Sequence, residues 1–317
     1  MKNLFLAGAT GMVGTNFLEW LIETGKIDEF KIKALVHKSN PIIFHENIHY
    51  DNQAYEMIRE SDCAILAASN AGGAQYVQDN PWDHMYDNLT MNMRLLNDIV
   101  ETKTIKRVVF ISSSVVYQPE KVACAEQDID FNMSPNEYHC GYALMMRYLE
   151  KMCRVIYDRY RIQFIIARAS NIYGKYDKFD PSRSNFIPAL IRKAVDKQDP
   201  FEVWGSPDVT RDVIYAKDFV SYIYSLFKRE DIKFNRFNVS SGVGITVEQV
   251  VACILNEIDF NPHEIKYLFD KPTTDKYRVL NNHKLGMVLG RLPHYQFKDG
   301  IKETIEWWKE NKNTWMK

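Results

Sequence analysis

Gly8-Ala9-Thr10-Gly11-Met12-Val13-Gly14 stands between the apolar run Leu4 to Ala7 and the amphipathic stretch Thr15 to Ile22. Glycines at this spacing allow a tight turn and close approach of the backbone to a ligand, while the helix that follows offers unpaired N–H groups to an anion. The loop reads either as a structural turn or as a pyrophosphate cradle. Its place after a first strand and before a first helix predicts dinucleotide binding.

Working outward, short apolar runs recur at Ile32 to Val36, Cys63 to Ala68, Arg107 to Ser112 and Gln163 to Ala167. Between them lie helical spacings such as Leu89, Met93, Leu96 and Val100. Buried runs alternating with helices predict an α/β fold, a Rossmann-type doubly wound parallel sheet with both faces covered. After Ile172 the texture changes. Phe186 to Val195 reads as a helix, Pro200 to Thr210 as a loop, Val247 to Ile258 as a helix capped by Thr246, and Ile301 to Trp308 as a last amphipathic helix. The expected division is a dinucleotide-binding domain over 1–170 and a smaller C-terminal substrate-binding lobe over 171–317, with segments near 212–240 returning to the first domain.

The 317 residues carry a formal charge of -1, so no basic excess points to nucleic acid. No run of about 20 apolar residues predicts a membrane span. The opening MKNLFLAGATGMVG meets glycines before a signal peptide could be completed, which predicts a cytoplasmic chain. Five cysteines and eight histidines are scattered without metal-ligand spacing, so no metal is expected.

At the end of the second apolar run the chain reads Val36-His37-Lys38, where an acidic residue for an adenosine ribose would be usual. Asp28 precedes that strand and does not serve. His37 and Lys38 suit a 2'-phosphate, favouring NADP(H), or form an exposed basic loop beside NAD(H). Further on, Ser112-Ser113-Ser114 follow the fourth run and Tyr142 opens a helix. Both positions belong to the carboxyl edge of a parallel sheet, where two hydroxyls can converge on a substrate alcohol. They can equally be strand-end capping and half-buried core.

The order of Gly8 to Gly14, Asp51, Leu66-Ala67-Ala68, Asn88, Ser113, Tyr142, Arg168-Ala-Ser-Asn171-Ile-Tyr-Gly174 and Arg211-Asp212 resembles the extended short-chain dehydrogenases/reductases of the nucleotide-sugar type. Pro181-Ser-Arg-Ser-Asn185-Phe-Ile-Pro188 and Val203-Trp204-Gly205-Ser206 are similar to GDP-fucose synthase and GDP-heptose 4-dehydrogenase-like enzymes. The resemblance implies NAD(H), or alternatively NADP(H), held by Gly8, Thr10, Gly11, Met12, Val13, Gly14, His37, Lys38, Asp51, Asn52, Leu66, Ala67, Ala68, Asn88, Ser112 and Tyr142. It implies a proton-handling pair, Ser113 and Tyr142. It further implies a GDP-linked sugar or heptose touching Ser114, Val115, Asn171, Asn185, Val203, Trp204, Arg211 and Arg278, with Arg211 on the diphosphate. Relatives also pair as homodimers through two helices, here Leu89 to Val100 and Tyr142 to Tyr157.

The departures narrow the chemistry. The family's lysine, four residues after the tyrosine, is Met146, and Arg147 should point elsewhere. The cysteine and histidine with which GDP-fucose synthase exchanges protons are Val115 and Asn185, which disfavours epimerisation. The Asp-Glu pair of the dehydratases is Ser114 and Val115, which disfavours elimination. Simple hydride transfer remains: oxidation of a ring hydroxyl, C4 in the resemblance, of a GDP-linked manno-configured sugar. The alternatives are a GDP-4-keto-sugar reductase and a non-catalytic regulatory protein that binds NAD(H) and a sugar nucleotide.

Overall fold

The structure is a computed structural model that describes residues 1–120, 122–271, 275–290 and 294–315. In chain order the first half runs β1 (Lys2–Ala7), α1 (Met12–Glu23), β2 (Phe30–Leu35), β3 (Ile48–Asp51), α2 (Ala54–Arg59), β4 (Cys63–Leu66), α3 (Ala74–Asp79), α4 (Pro81–Thr102), β5 (Arg107–Ser113), α5 (Cys140–Tyr160) and β6 (Gln163–Ala169). The second half runs β7 (Asn171–Tyr173), α6 (Phe186–Val195), β8 (Phe201–Trp204), β9 (Thr210–Tyr215), α7 (Ala216–Lys228), β10 (Phe234–Val239), β11 (Gly244–Thr246), α8 (Val247–Ile258), β12 (Ile265–Leu268), β13 (Tyr277–Arg278), α9 (His283–Leu289) and α10 (Phe297–Asn311).

Seven parallel strands form the main sheet in the order β10-β6-β5-β4-β1-β2-β3. Strand periodicity explains the two covered faces. In β1, Leu4 and Leu6 enter one apolar core and Phe5 and Ala7 the other; in β6, Ile165 and Ala167 oppose Phe164 and Ile166 in the same way. Helices α1 and α7 pack together, as do α4 and α5. The chain order reverses between β1 and β4, and that crevice is where an open α/β sheet holds its ligand.

The C-terminal lobe has its own core, built from Phe179, Leu190, Ile191, Phe201, Val203, Val250, Ile254, Ile301 and Trp308 among others. Its strands form a four-stranded sheet, β11-β9-β13 with β7 also on β9, and a two-stranded one, β12-β8. The capping box at Thr246 is present, with reciprocal bonds to Gln249.

Two expectations change here. Pro200 to Thr210 is not all loop: Phe201 and Val203 point inward and pair as a strand with β12, under the turn signals that follow. The last helix begins at Phe297, a turn before Ile301.

Candidate active site

Gly8 has a φ of +84°, and a Cβ there would stand 2.7 Å from the backbone of Ala67 and Ala68. The glycine loop therefore closes directly on the end of β4. A Cβ at Gly14 would stand 2.2 Å from the Gly8 carbonyl oxygen, so the helix start is drawn onto the loop as tightly as the chain allows. Gly11 caps α1 with no side-chain bond and no acidic residue in the first turn, which keeps the helix N-terminus open to an anion. The cradle fits a pyrophosphate.

Asp51 ends β3 beside Leu35, and its carboxylate accepts the N–H groups of Asn52 and Gln53 at 2.6 and 3.1 Å. His37 and Lys38 are exposed just past β2. Asp51, Asn52 and the two basic residues thus share one end of the same edge.

Further along that edge, a cleft is lined by Ala67, Ala68, Ser69, Asn88, Ser112, Tyr142 and Met146 among others. Leu66, by contrast, is core. Asn88 clamps the loop after β4: its Oδ1 accepts the N–H of Asn70 at 2.9 Å and the Ser69 hydroxyl at 3.2 Å, and its amide donates to the carbonyls of Asn70 and His84. The Ser112 hydroxyl donates to Glu150 at 2.7 Å, away from the cleft.

Helix α5 is fixed from beneath. Arg168, fully buried, holds Glu150 with two nitrogens at 3.0 and 2.7 Å, and it also donates to the Tyr117 hydroxyl at 2.9 Å. Burial alone would lower the pKa of this guanidinium, but the hydrogen bonds and charge of Glu150 raise it instead. Two turns of helix above Glu150, Tyr142 meets the ring of His84 at 4.7 Å between centroids. Burial raises the Tyr142 hydroxyl above the usual phenol value, and a hydrogen bond with Ser69 draws it part of the way back.

Met146 is 3% exposed and belongs to the second core while its edge lines the cleft. Arg147 does point elsewhere, donating to the carbonyls of Val116 and Met133 at 2.6 and 2.8 Å. Ser113 Oγ accepts the N–H of Val115 at 3.3 Å, which leaves its own proton for another acceptor.

Across the cleft lies a basic group. Arg211 on β9 and Arg278 on β13 are register partners, and burial pushes each down to about 10. Arg278 donates to the Ser114 carbonyl at 2.6 Å and pairs with Asp275, tying the C-terminal lobe to the turn after β5. His139, at the entrance to α5, is pushed down to about 4 by burial and then by Arg278, His84 and Arg211.

The loop 174–185 closes over the loop after β4. Lys178 and Arg183 both donate to the Ala71 carbonyl, Gly73 N–H donates to the Arg183 carbonyl at 2.9 Å, and Arg183 lies over the Tyr76 ring at 4.3 Å.

Among the substrate positions read from sequence, Asn171 donates to the Asp212 carbonyl at 3.2 Å and Asn185 is exposed at the start of α6. Val203 needs correction: its side chain is 1% exposed inside the lobe's core, so only its main chain remains for a ligand. Alternation along β8 turns Trp204 outward instead. The sequence reading missed Ser69 and His84. Ser69 follows Ala68 at the strand end, and His84 lies four residues before Asn88 on the same helix, which are the signals that could have found them.

The model of the NAD dependent epimerase/dehydratase family matches residues 4–240. The chain belongs to that family. This member is 26% identical over 315 residues to GDP-L-colitose synthase of Yersinia pseudotuberculosis, covering 98% of this chain and 99% of that one. It is 24% identical over 326 residues to dTDP-4-dehydro-6-deoxy-D-allose reductase of Streptomyces bikiniensis, covering 98% and 97%. A solved UDP-N-acetylglucosamine 4-epimerase from Methanobrevibacter ruminantium M1 superposes with a TM-score of 0.85 at 19% identity, covering 98% of this chain and 99% of that chain. That likeness bears out the fold expected from the sequence, and the family match bears out the resemblance to nucleotide-sugar short-chain dehydrogenases/reductases.

Proposed function

We propose that the chain reduces the C4 keto group of a GDP-linked manno-configured sugar or heptose without epimerising its neighbours. The observation that carries this reading is Tyr142, a partly buried phenol whose pKa burial raises, with buried Met146 where the family places a cation. A phenol held protonated is the form that gives its proton to an oxygen becoming an alkoxide. The sequence alone favoured oxidation. One hydride geometry serves both directions, and the names of the relatives, a 4-keto-sugar reductase and a GDP-sugar synthase, support reduction.

Nicotinamide dinucleotide supplies the hydride when bound, against Gly8, Gly11, Gly14 and the end of β4, with Asp51 toward the adenosine. NAD(H) is the first assignment; exposed His37 and Lys38 are the positions at which NADP(H) would be accepted. Tyr142 gives its proton to the substrate oxygen, and Ser113 donates its own hydroxyl hydrogen bond to the same atom. Arg211 and Arg278 grip the diphosphate. Val115 has no proton to exchange with the sugar's carbons and Asn185 does not titrate near neutrality, so the stereocentres beside the carbonyl are left alone.

The same reading includes a homodimer through α4 and α5, supported by Trp82, Tyr86, Leu144, Tyr148 and Val155, large side chains exposed on those two helices.

The deciding experiment supplies a GDP-linked 4-keto sugar and deuterated reduced nicotinamide in water. Deuterium at C4 alone is expected. Unreacted ketone sinks the proposal, and in heavy water with unlabelled cofactor, deuterium at C3 or C5 sinks the claim of no epimerisation.

A further inference from the structure

Once Tyr142 has given up its proton, it is an anion in a site where Met146 stands in the position of the family's lysine. The groups that face it are few. His84 touches it from α4 and is pushed down to about 4 by burial and by Lys178 and Arg183, so it is neutral at physiological pH. Asp87 acts on His84 in the opposite sense but as a lesser influence, and His139, in front of α5, is also held neutral. Met146 offers no proton. Ser69 is what remains, on the lip of the cleft and one residue past the Ala67-Ala68 crevice.

Ser69 has one hydroxyl hydrogen and two neighbours that can take it. In the resting structure it donates to Asn88 Oδ1 at 3.2 Å, while it lines one cleft with Tyr142 and lies within hydrogen-bonding reach of the phenol. Asn88 Oδ1 does not depend on that bond, because the Asn70 N–H supplies another at 2.9 Å. Turning the Ser69 hydroxyl from Asn88 to Tyr142 therefore strands no buried acceptor.

We propose that Ser69 stabilises the Tyr142 anion by rotating its hydroxyl from Asn88 onto the phenolate oxygen, taking over in neutral form a task the family gives to a charged lysine. No covalent bond forms or breaks at Ser69. The proton that leaves Tyr142 goes to the substrate oxygen and is replaced from water after the product departs. This rests on the reductive reading above for its timing, but the Ser69–Tyr142 interaction itself does not.

Tyrosine labelled with carbon-13 at Cζ gives a resonance that moves on ionisation, and comparison with Tyr142→Phe identifies the signal of Tyr142. With oxidised dinucleotide bound, Ser69→Ala is expected to raise the Tyr142 midpoint by about one pH unit, since a hydrogen bond to an ion contributes more than a neutral one. Ser69→Thr, which keeps the hydroxyl, is expected to restore it. In turnover, the falling limb of the reduction rate in Ser69→Ala should move to higher pH by the same amount, and the rate near neutrality should drop about tenfold with KM unchanged. An unmoved midpoint overturns the proposal. A midpoint that moves in a protein that reduces no keto sugar would retain Ser69 and discard the reaction; turnover with an unmoved midpoint would do the reverse.

Discussion

Arg278 stands opposite Arg211 across the β13–β9 pair, so two guanidinium groups of like charge are held in one largely buried place. Each is pushed down to about 10, mainly by burial, and Arg278 lowers Arg211 further. Burial beside a like charge is costly even with Asp275 paired to Arg278, and the two guanidinium groups are well matched to a diphosphate. Arg211→Met is therefore expected to leave the thermal midpoint of the free protein unchanged or higher, and to weaken GDP-sugar by about 2 kcal/mol or more. Differential scanning fluorimetry and calorimetry on one preparation read both halves. Unchanged affinity would remove Arg211 from the ligand site.

The histidines predict acid lability. Burial depresses His84 and His139 to about 4, below the roughly 6.5 of an unfolded histidine. Between those values the unfolded chain binds more protons than the folded one, so stability falls as pH falls from about 6.5 toward 4 and the histidine contribution levels off below that. His84→Gln should flatten the slope of thermal midpoint against pH in that window. A slope unchanged by the substitution would mean that folding does not depress the His84 pKa.

Gly14→Ala tests the cradle. Its Cβ would collide with backbone atoms of Gly8 and Ala9, which cannot yield as a flexible side chain would. A loss of about 1–3 kcal/mol in stability is expected from the forced shift, together with at least a tenfold loss of dinucleotide affinity. Gly25→Ala is the control, since a Cβ there meets nothing within 4 Å although φ is +66°. It should cost about 1 kcal/mol and spare the cofactor. Equal effects on affinity would mean that Gly14 acts through general stability.

What the sequence made legible follows the strength of the local signal. The glycine loop is legible from its spacing, and the run before Gly8 and the largely buried β4, β5 and β6 are found because a strand covered on both faces is mostly apolar. Edge strand β3 was overlooked since only one of its four residues, Ile48, is aliphatic. Strand β8 was read as loop because it is four residues long and runs into a Trp-Gly-Ser-Pro turn. At the site, Tyr142, Met146 and the arginines stand at recognisable spacings, whereas Ser69 sits in Ala-Ala-Ser-Asn-Ala-Gly-Gly, where composition says only loop. Its proposed part rests on a contact with a helix more than seventy residues away, which no local pattern encodes.

Single-turnover loss of reduced-nicotinamide absorbance against pH measures most directly whether Tyr142, with Met146 in place of the family's lysine, acts as a protonated donor. In the parent the rate should fall as pH rises through the Tyr142 pKa, and Tyr142→Phe should remove most conversion while dinucleotide still binds. Met146→Lys places a cation one turn away, which favours the phenolate and lowers that pKa, so the falling limb should move to lower pH by about one unit or more. Full conversion by Tyr142→Phe would contradict the account.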